Sequence, residues 1–130
     1  MSRHDSRVLA LQALYESDAT GHNADEALAR HLSEGSYGDK VREHAVDMVD
    51  GVARNRQSLD DVIGRFATEY AVDQLSAIDR NILRMALYES SHVEVPLRVL
   101  VNEAVELAKE FGSDGSARFV NGVLGAALTL

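Results

Sequence analysis

The sequence predicts an all-α fold: a single domain over residues 1–130, built from about seven helices. Three observations carry this. Apolar residues recur every three or four positions along nearly the whole chain, strand-like alternation is almost absent, and the one proline and low aromatic content disfavour a β-sandwich. At 130 residues with 45% hydrophobic content, the chain can bury a core without covalent staples and is too apolar to be disordered.

Each helix follows from its own pattern. Over residues 4–20, Val8, Leu11, Leu14 and Tyr15 form one apolar face, and Gly21-His22-Asn23 breaks it. A second helix covers residues 25–32, and residues 33–38, with Gly35 and Gly38, read as a loop. Val41, Ala45, Met48 and Val52 stripe a third. Ser58 and Asp61 have capping-box spacing and open a fourth, which carries Leu59, Val62, Ile63 and Phe66. Ser76 and Asp79 repeat that signal before a fifth with Ile78, Ile82, Met85 and Ala86, where Asp79 is expected to cap backbone N–H groups. Pro96 sits in the first turn of a sixth helix, and Gly112 is expected as its left-handed C-terminal cap. Ser116 is expected to cap a seventh, in which Gly122 reads as a close helix–helix contact.

Charge narrows the partners. The formal net charge is −8, which opposes a phosphate backbone over most of the surface. The distribution is uneven: residues 1–15 sum to +1, residues 16–79 to −8 and residues 80–130 to −1. An anion site therefore remains open near the N-terminus or in the C-terminal half. With no cysteine, disulfides, thiolate metal sites and cysteine nucleophiles are excluded. No apolar run reaches the length of a membrane span, and the first residues lack the apolar stretch of a secretory signal. A cytoplasmic protein is expected.

Enzymatic constellations are missing from the pattern. The five histidines are scattered without helical metal-site spacing, and Glu103, Glu106 and Glu110 lack an accompanying Glu-x-x-His. No Gly-rich phosphate loop or nucleophile elbow occurs. The expectation is a non-enzyme with no metal and no cofactor.

Three stretches carry binding chemistry instead. Arg3, His4 and Arg7 fall at about 0°, 100° and 40° on a helical wheel, one face from which two guanidiniums could fork onto successive phosphates. Arg118, Phe119 and Asn121 lie in the first turns of the last helix, where a helix N-terminus and an arginine attract phosphate. Phe119 there is either a base-stacking ring or a core residue. Arg80 and Arg84 lie one turn apart beside the apolar stripe of the fifth helix.

At these residues the sequence resembles the NusB family. Arg3-His-Asp-Ser-Arg7 with Ala10-Leu-Gln-Ala-Leu-Tyr15 is similar to its basic N-terminal motif and first helix. The segment Ile78-Asp-Arg-Asn-Ile-Leu-Arg-Met-Ala-Leu-Tyr-Glu89 is similar to its central signature. Val95-Pro96, Val101-Asn-Glu-Ala-Val-Glu-Leu-Ala-Lys-Glu-Phe-Gly112 and Phe119-Val-Asn-Gly-Val-Leu124 complete the pattern. The resemblance implies two packed helical bundles. It implies a transcription antitermination and termination factor that binds boxA-type single-stranded RNA in nascent ribosomal RNA transcripts, together with the ribosomal protein that acts as NusE, on elongating RNA polymerase. By position, it implies an RNA surface of Arg3, His4, Arg7, Gln12, Tyr15, Arg118 and Phe119, and a partner surface of Asp73, Asp79 and Arg84. The alternatives are a protein-interaction module, such as a homodimer that covers its arginine face, and a stand-alone relative of the RNA-binding domain of ribosomal RNA cytosine methyltransferases. Asp5 interrupts the basic motif, and Gly115 stands where relatives often carry a charge.

Overall fold

In a computed structural model, residues 3–92 and 94–129 are described, and they form seven α-helices and one 3-10 turn with no strand. The helices are α1 (Arg3–Thr20), α2 (Ala24–Ser33), α3 (Asp39–Arg54), α4 (Arg56–Phe66), α5 (Ala77–His92), α6 (Leu97–Phe111) and α7 (Ser116–Ala127), with the 3-10 turn at Val72–Gln74. The all-α expectation holds. The chain divides into two compact units, Met1–Arg54 and Asn55–Leu130.

In the first unit α1 packs on both α2 and α3. Leu9, Ala10, Leu11, Ala13 and Leu14 of α1 are buried, as are Ala27, Leu28 and Leu32 of α2 and Val41, Ala45, Met48, Val49 and Val52 of α3. Small alanines at the crossing points let the helix axes approach closely. Helix α2 starts at Asn23, whose extended backbone frees its side chain to accept the Glu26 N–H at 3.1 Å. Asp25 and Glu26 at its start and Arg30 and His31 at its end complement the helix dipole.

In the second unit α5 is central, packed by α4, α6 and α7. Every residue from Asn81 to Glu89 is buried, so this helix has no solvent face over more than two turns. Ser76 caps it, its Oγ accepting the Asp79 N–H at 3.1 Å. Asp79 is thus the capped residue and not the capping one.

Other local expectations are corrected. Helix α4 begins at Arg56, ahead of Ser58, whose Oγ donates to the Asn55 carbonyl from within the first turn. The Ser58–Asp61 spacing is a helical surface pattern here. Gly112 is not left-handed but extended, with φ −88° and ψ −169°. Its glycine is required by crowding instead: a Cβ would lie 2.5 Å from Ser116 Oγ and 2.6 Å from the Ala108 carbonyl oxygen. The left-handed residue is Gly115, at φ +90° just before α7. Ser116 Oγ accepts the Ser113 N–H at 3.0 Å and so ties down the loop that precedes α7. Gly122 touches nothing where its Cβ would be, so it opens a surface and makes no close helix contact.

Candidate nucleic-acid interface

The residues expected to meet RNA fall into two groups, one on α1 in the first unit and one at the start of α7 in the second. On α1 the core arc takes Leu9, Ala13, Ala10 and Leu14. His4, Gln12 and Tyr15 lie within about 80° of one another on the opposite arc. Tyr15 is 44% exposed, and His4 and Gln12 are half-buried. Arg3 is exposed and its position is braced. Its Nη1 donates to His44 Nε2 at 3.4 Å, His44 Nδ1–H donates to Ser6 Oγ at 2.7 Å, and Ser6 Oγ–H donates to the Arg3 carbonyl at 3.1 Å.

Arg7 departs from the expectation. It is only 4% exposed and is engaged by its surroundings. The anticipated pair of open guanidiniums on α1 is reduced to Arg3.

In the second unit Arg118 is exposed and Phe119 is half-buried, neither wholly core nor wholly free. The ring borders a recess of about 300 Å³ that Tyr70, Gln74, Asp79 and Ser116 also line. Tyr70 is 63% exposed. Of the Asp79 carboxylate, which lines the recess, Oδ1 is buried and accepts no hydrogen bond among the described residues. A buried carboxylate oxygen without a donor is costly, so this position favours a ligand or partner that brings an N–H or O–H group.

Asp73 is exposed within the 3-10 turn. Arg80 holds that turn by donating to the Val72 and Leu75 carbonyls at 3.2 and 2.9 Å. Arg84, expected on the partner face, is 3% exposed and turned inward. Its Nε and Nη2 fork onto Asp60 Oδ1 and Oδ2 at 2.7 and 2.9 Å, and its Nη1 donates to Asn81 Oδ1 at 3.1 Å. Asn81 Nδ2 in turn donates to the Ala77 carbonyl at 2.8 Å. This network joins α4 to α5 and keeps Arg84 inside the unit, 3% exposed, away from a partner. Among the described residues, no group of three or more histidines and carboxylates could hold a metal ion.

Family comparison bears out the resemblance itself. A model described as "NusB family" matches residues 4–129. The chain belongs to the NusB family. A transcription antitermination protein NusB from Dehalococcoides mccartyi is 47% identical over 124 residues, covering 95% of this chain and 87% of the relative. One from Chloroflexus aggregans is 44% identical, covering 98% and 87%. Among solved structures, T. maritima NusB superposes with a TM-score of 0.93 at 31% identity, over 99% of this chain and 92% of that one. A crystal structure of the antitermination factors NusB and NusE in complex with double-stranded RNA matches with a TM-score of 0.89 at 26% identity, over 98% and 96%. NusB-family membership places the chain among non-enzymatic antitermination factors.

Set against the NusB family pattern, two features escaped the sequence reading. Tyr70 lies in no recognised motif, and its only signal was an aromatic residue in a polar link. His44 lies far from Arg3 in sequence, and nothing local announces that it braces that side chain. Gly115 is explained by its positive φ, which side chains with a Cβ rarely adopt.

Proposed function

We propose that this chain is a cytoplasmic, one-domain RNA-binding adaptor of transcription antitermination. It would bind boxA-type single-stranded RNA in nascent ribosomal RNA transcripts together with the ribosomal protein that acts as NusE, on elongating RNA polymerase. One observation carries the RNA part: exposed Arg118 and half-buried Phe119 occupy the first turn of α7 beside an open recess. The guanidinium and the helix N-terminus favour a phosphate, and a ring with one open face can stack an unpaired base. Arg3, His4, Gln12 and Tyr15 supply a second set of contacts, while Arg7 is buried. Asp73 and Asp79 supply acceptors for the protein partner. Support for that partner comes from a relative solved with NusE and RNA.

The test is a titration of a labelled boxA-containing single strand, a scrambled strand and a boxA duplex, each with and without the ribosomal protein. Tighter binding of the boxA strand, strengthened by the protein, is the expected result. Equal affinity for all three RNAs in both conditions would remove the sequence-specific reading. A homodimer in light scattering that RNA does not dissociate would favour the interaction-module alternative.

A further inference from the structure

A groove on the second unit, apart from the recess at Phe119, has the makings of a nucleic-acid subsite. Arg98, Val101 and Asn102 of α6 and Asn121 and Gly125 of α7 line it, and its volume is about 340 Å³. Arg98, Asn102 and Asn121 are all exposed. Among the described residues, none of the three side chains has a hydrogen bond or ion pair. Three polar side chains with unused donors therefore face one concavity.

The floor is low for a visible reason. Gly125 lines the groove and Gly122 lies one turn from Arg118, and neither position has an atom within 4 Å of where a Cβ would stand. The backbone of α7 is open to close approach along this face.

The order of the groups matters most. A short link joins the end of α6 to the start of α7, so the two helices run antiparallel and the start of α6 lies beside the later turns of α7. Along α7 Arg118 precedes Asn121 and Gly125, and because α6 runs the other way, Asn102 and then Arg98 follow in the same direction along the groove. A cation stands at each end with two amides between, over about 10 Å of helix axis. The nearby acids on α6 are occupied: Glu106 pairs with Lys109 at 3.3 Å, and Glu103 is engaged elsewhere. Arginine forks onto phosphate, and a carboxamide presents a donor and an acceptor that match a base edge.

We infer that the α6–α7 groove binds a continuation of the single-stranded RNA past Arg118, with Arg98 on a phosphodiester and Asn102 and Asn121 on a base edge. This rests on the RNA reading of Arg118 and Phe119 and lengthens its footprint. RNA is favoured over an acidic peptide because the row starts at Arg118 and sets two amides, which match a base edge, between its two cations.

Fluorescence anisotropy with a labelled boxA-containing strand, and with the same strand extended by a few nucleotides at either end, tests this. The unmodified protein is expected to bind one extended strand several-fold more tightly than the short one. Arg98→Ala should abolish that gain and lower the salt slope by about 1. Asn102→Ala with Asn121→Ala should keep the slope but flatten preference among bases in the extension. A loss already visible on the short strand with Arg98→Ala also supports the groove. Circular dichroism should be unchanged, since all three residues are exposed. If Arg118→Ala weakens binding but Arg98→Ala matches the unmodified protein on every strand, the groove is not a subsite and the RNA reading stands. If Arg118→Ala is equally silent, the RNA reading itself falls and the groove falls with it.

Discussion

In the first unit, Met1–Arg54, the buried side chains of all three helices are apolar or alanine except Ser6, Arg7 and the glycine of α3, and the charged residues lie mostly on the surface. In the second, Asn55–Leu130, the central helix buries Asn81, Arg84 and Glu89 in the same turns as its leucines. The first unit offers a braced arginine and an aromatic ring from one helix. The second organises itself around a buried charge network and offers its binding groups from helix starts and grooves. Of the arginines singled out in the sequence, Arg7 and Arg84 are buried and Arg80 holds a turn, while Arg3 and Arg118 are exposed, as is Arg98, which no motif marked.

The largest way to break this contrast is at Arg84. Arg84→Ala would leave the Asp60 carboxylate without its fork and should destabilise the protein by about 3 kcal/mol in urea unfolding. Replacing both partners with apolar residues, Arg84→Met with Asp60→Leu, should recover most of that loss, because the desolvation cost of both charges goes with them. No recovery would mean that Asn81 or another neighbour depends on the guanidinium.

The two faces can next be set against each other by RNA binding. Phe119→Ala should weaken binding by about 1–3 kcal/mol, the range for one stacked base, with helicity by circular dichroism intact. A collapsed fold would make Phe119 a core residue after all. On α1, Arg3→Ala should reduce the salt slope by about 1 and leave thermal stability unchanged. Arg7→Ala should do the reverse and lower the melting temperature, because that residue is buried. Identical behaviour of the two variants would contradict their opposite exposures.

The smallest effect belongs to a carboxylate pair in the first unit. Asp25 shares a hydrogen bond with Asp50, and this contact, followed by partial burial and charge repulsion, raises the Asp25 pKa above its ordinary value. A raised carboxyl pKa contributes stability when protonated and loses it as pH rises through the folded-state pKa. Asp50→Asn should therefore raise the melting temperature slightly at neutral pH, with the gain fading as the pH falls through the carboxylate range. A gain independent of pH would mean that it does not come from the Asp50 charge.

Much of the molecule is legible residue by residue. All seven helices were expected, and the chain breaks at Gly21 and around Gly35 fall where the glycines and polar residues predicted them. The caps were harder. Ser76 was recognisable, but Ser58 and Ser116 have the right residue type one to three positions inside their helices. For Ser116 the deciding factor is Gly115, whose positive φ sets the entry to α7. For Gly112 it is contact with Ser116, which follows from the loop path and not from the helix pattern.

The candidate site divides the same way. Arg3, Arg118 and Phe119 were visible as residue types at helix starts, where chemistry and position coincide. Arg7 and Arg84 have the same chemistry, and helical spacing could not tell which side of the helix would be covered. Asp79, expected to cap, instead brings an unpartnered oxygen to a recess built partly from the loop before α7.

Helix identity and order are properties of the sequence itself, because a 3.6-residue repeat, a proline or a polar link acts within a few residues. The burial of Arg7, the fork of Arg84 on Asp60, the brace from His44 to Arg3 and the groove between α6 and α7 were decided by tertiary structure alone. Each depends on residues that lie from about twenty to more than forty positions apart in sequence, or on which helix face a neighbour covers, and no local pattern encodes that.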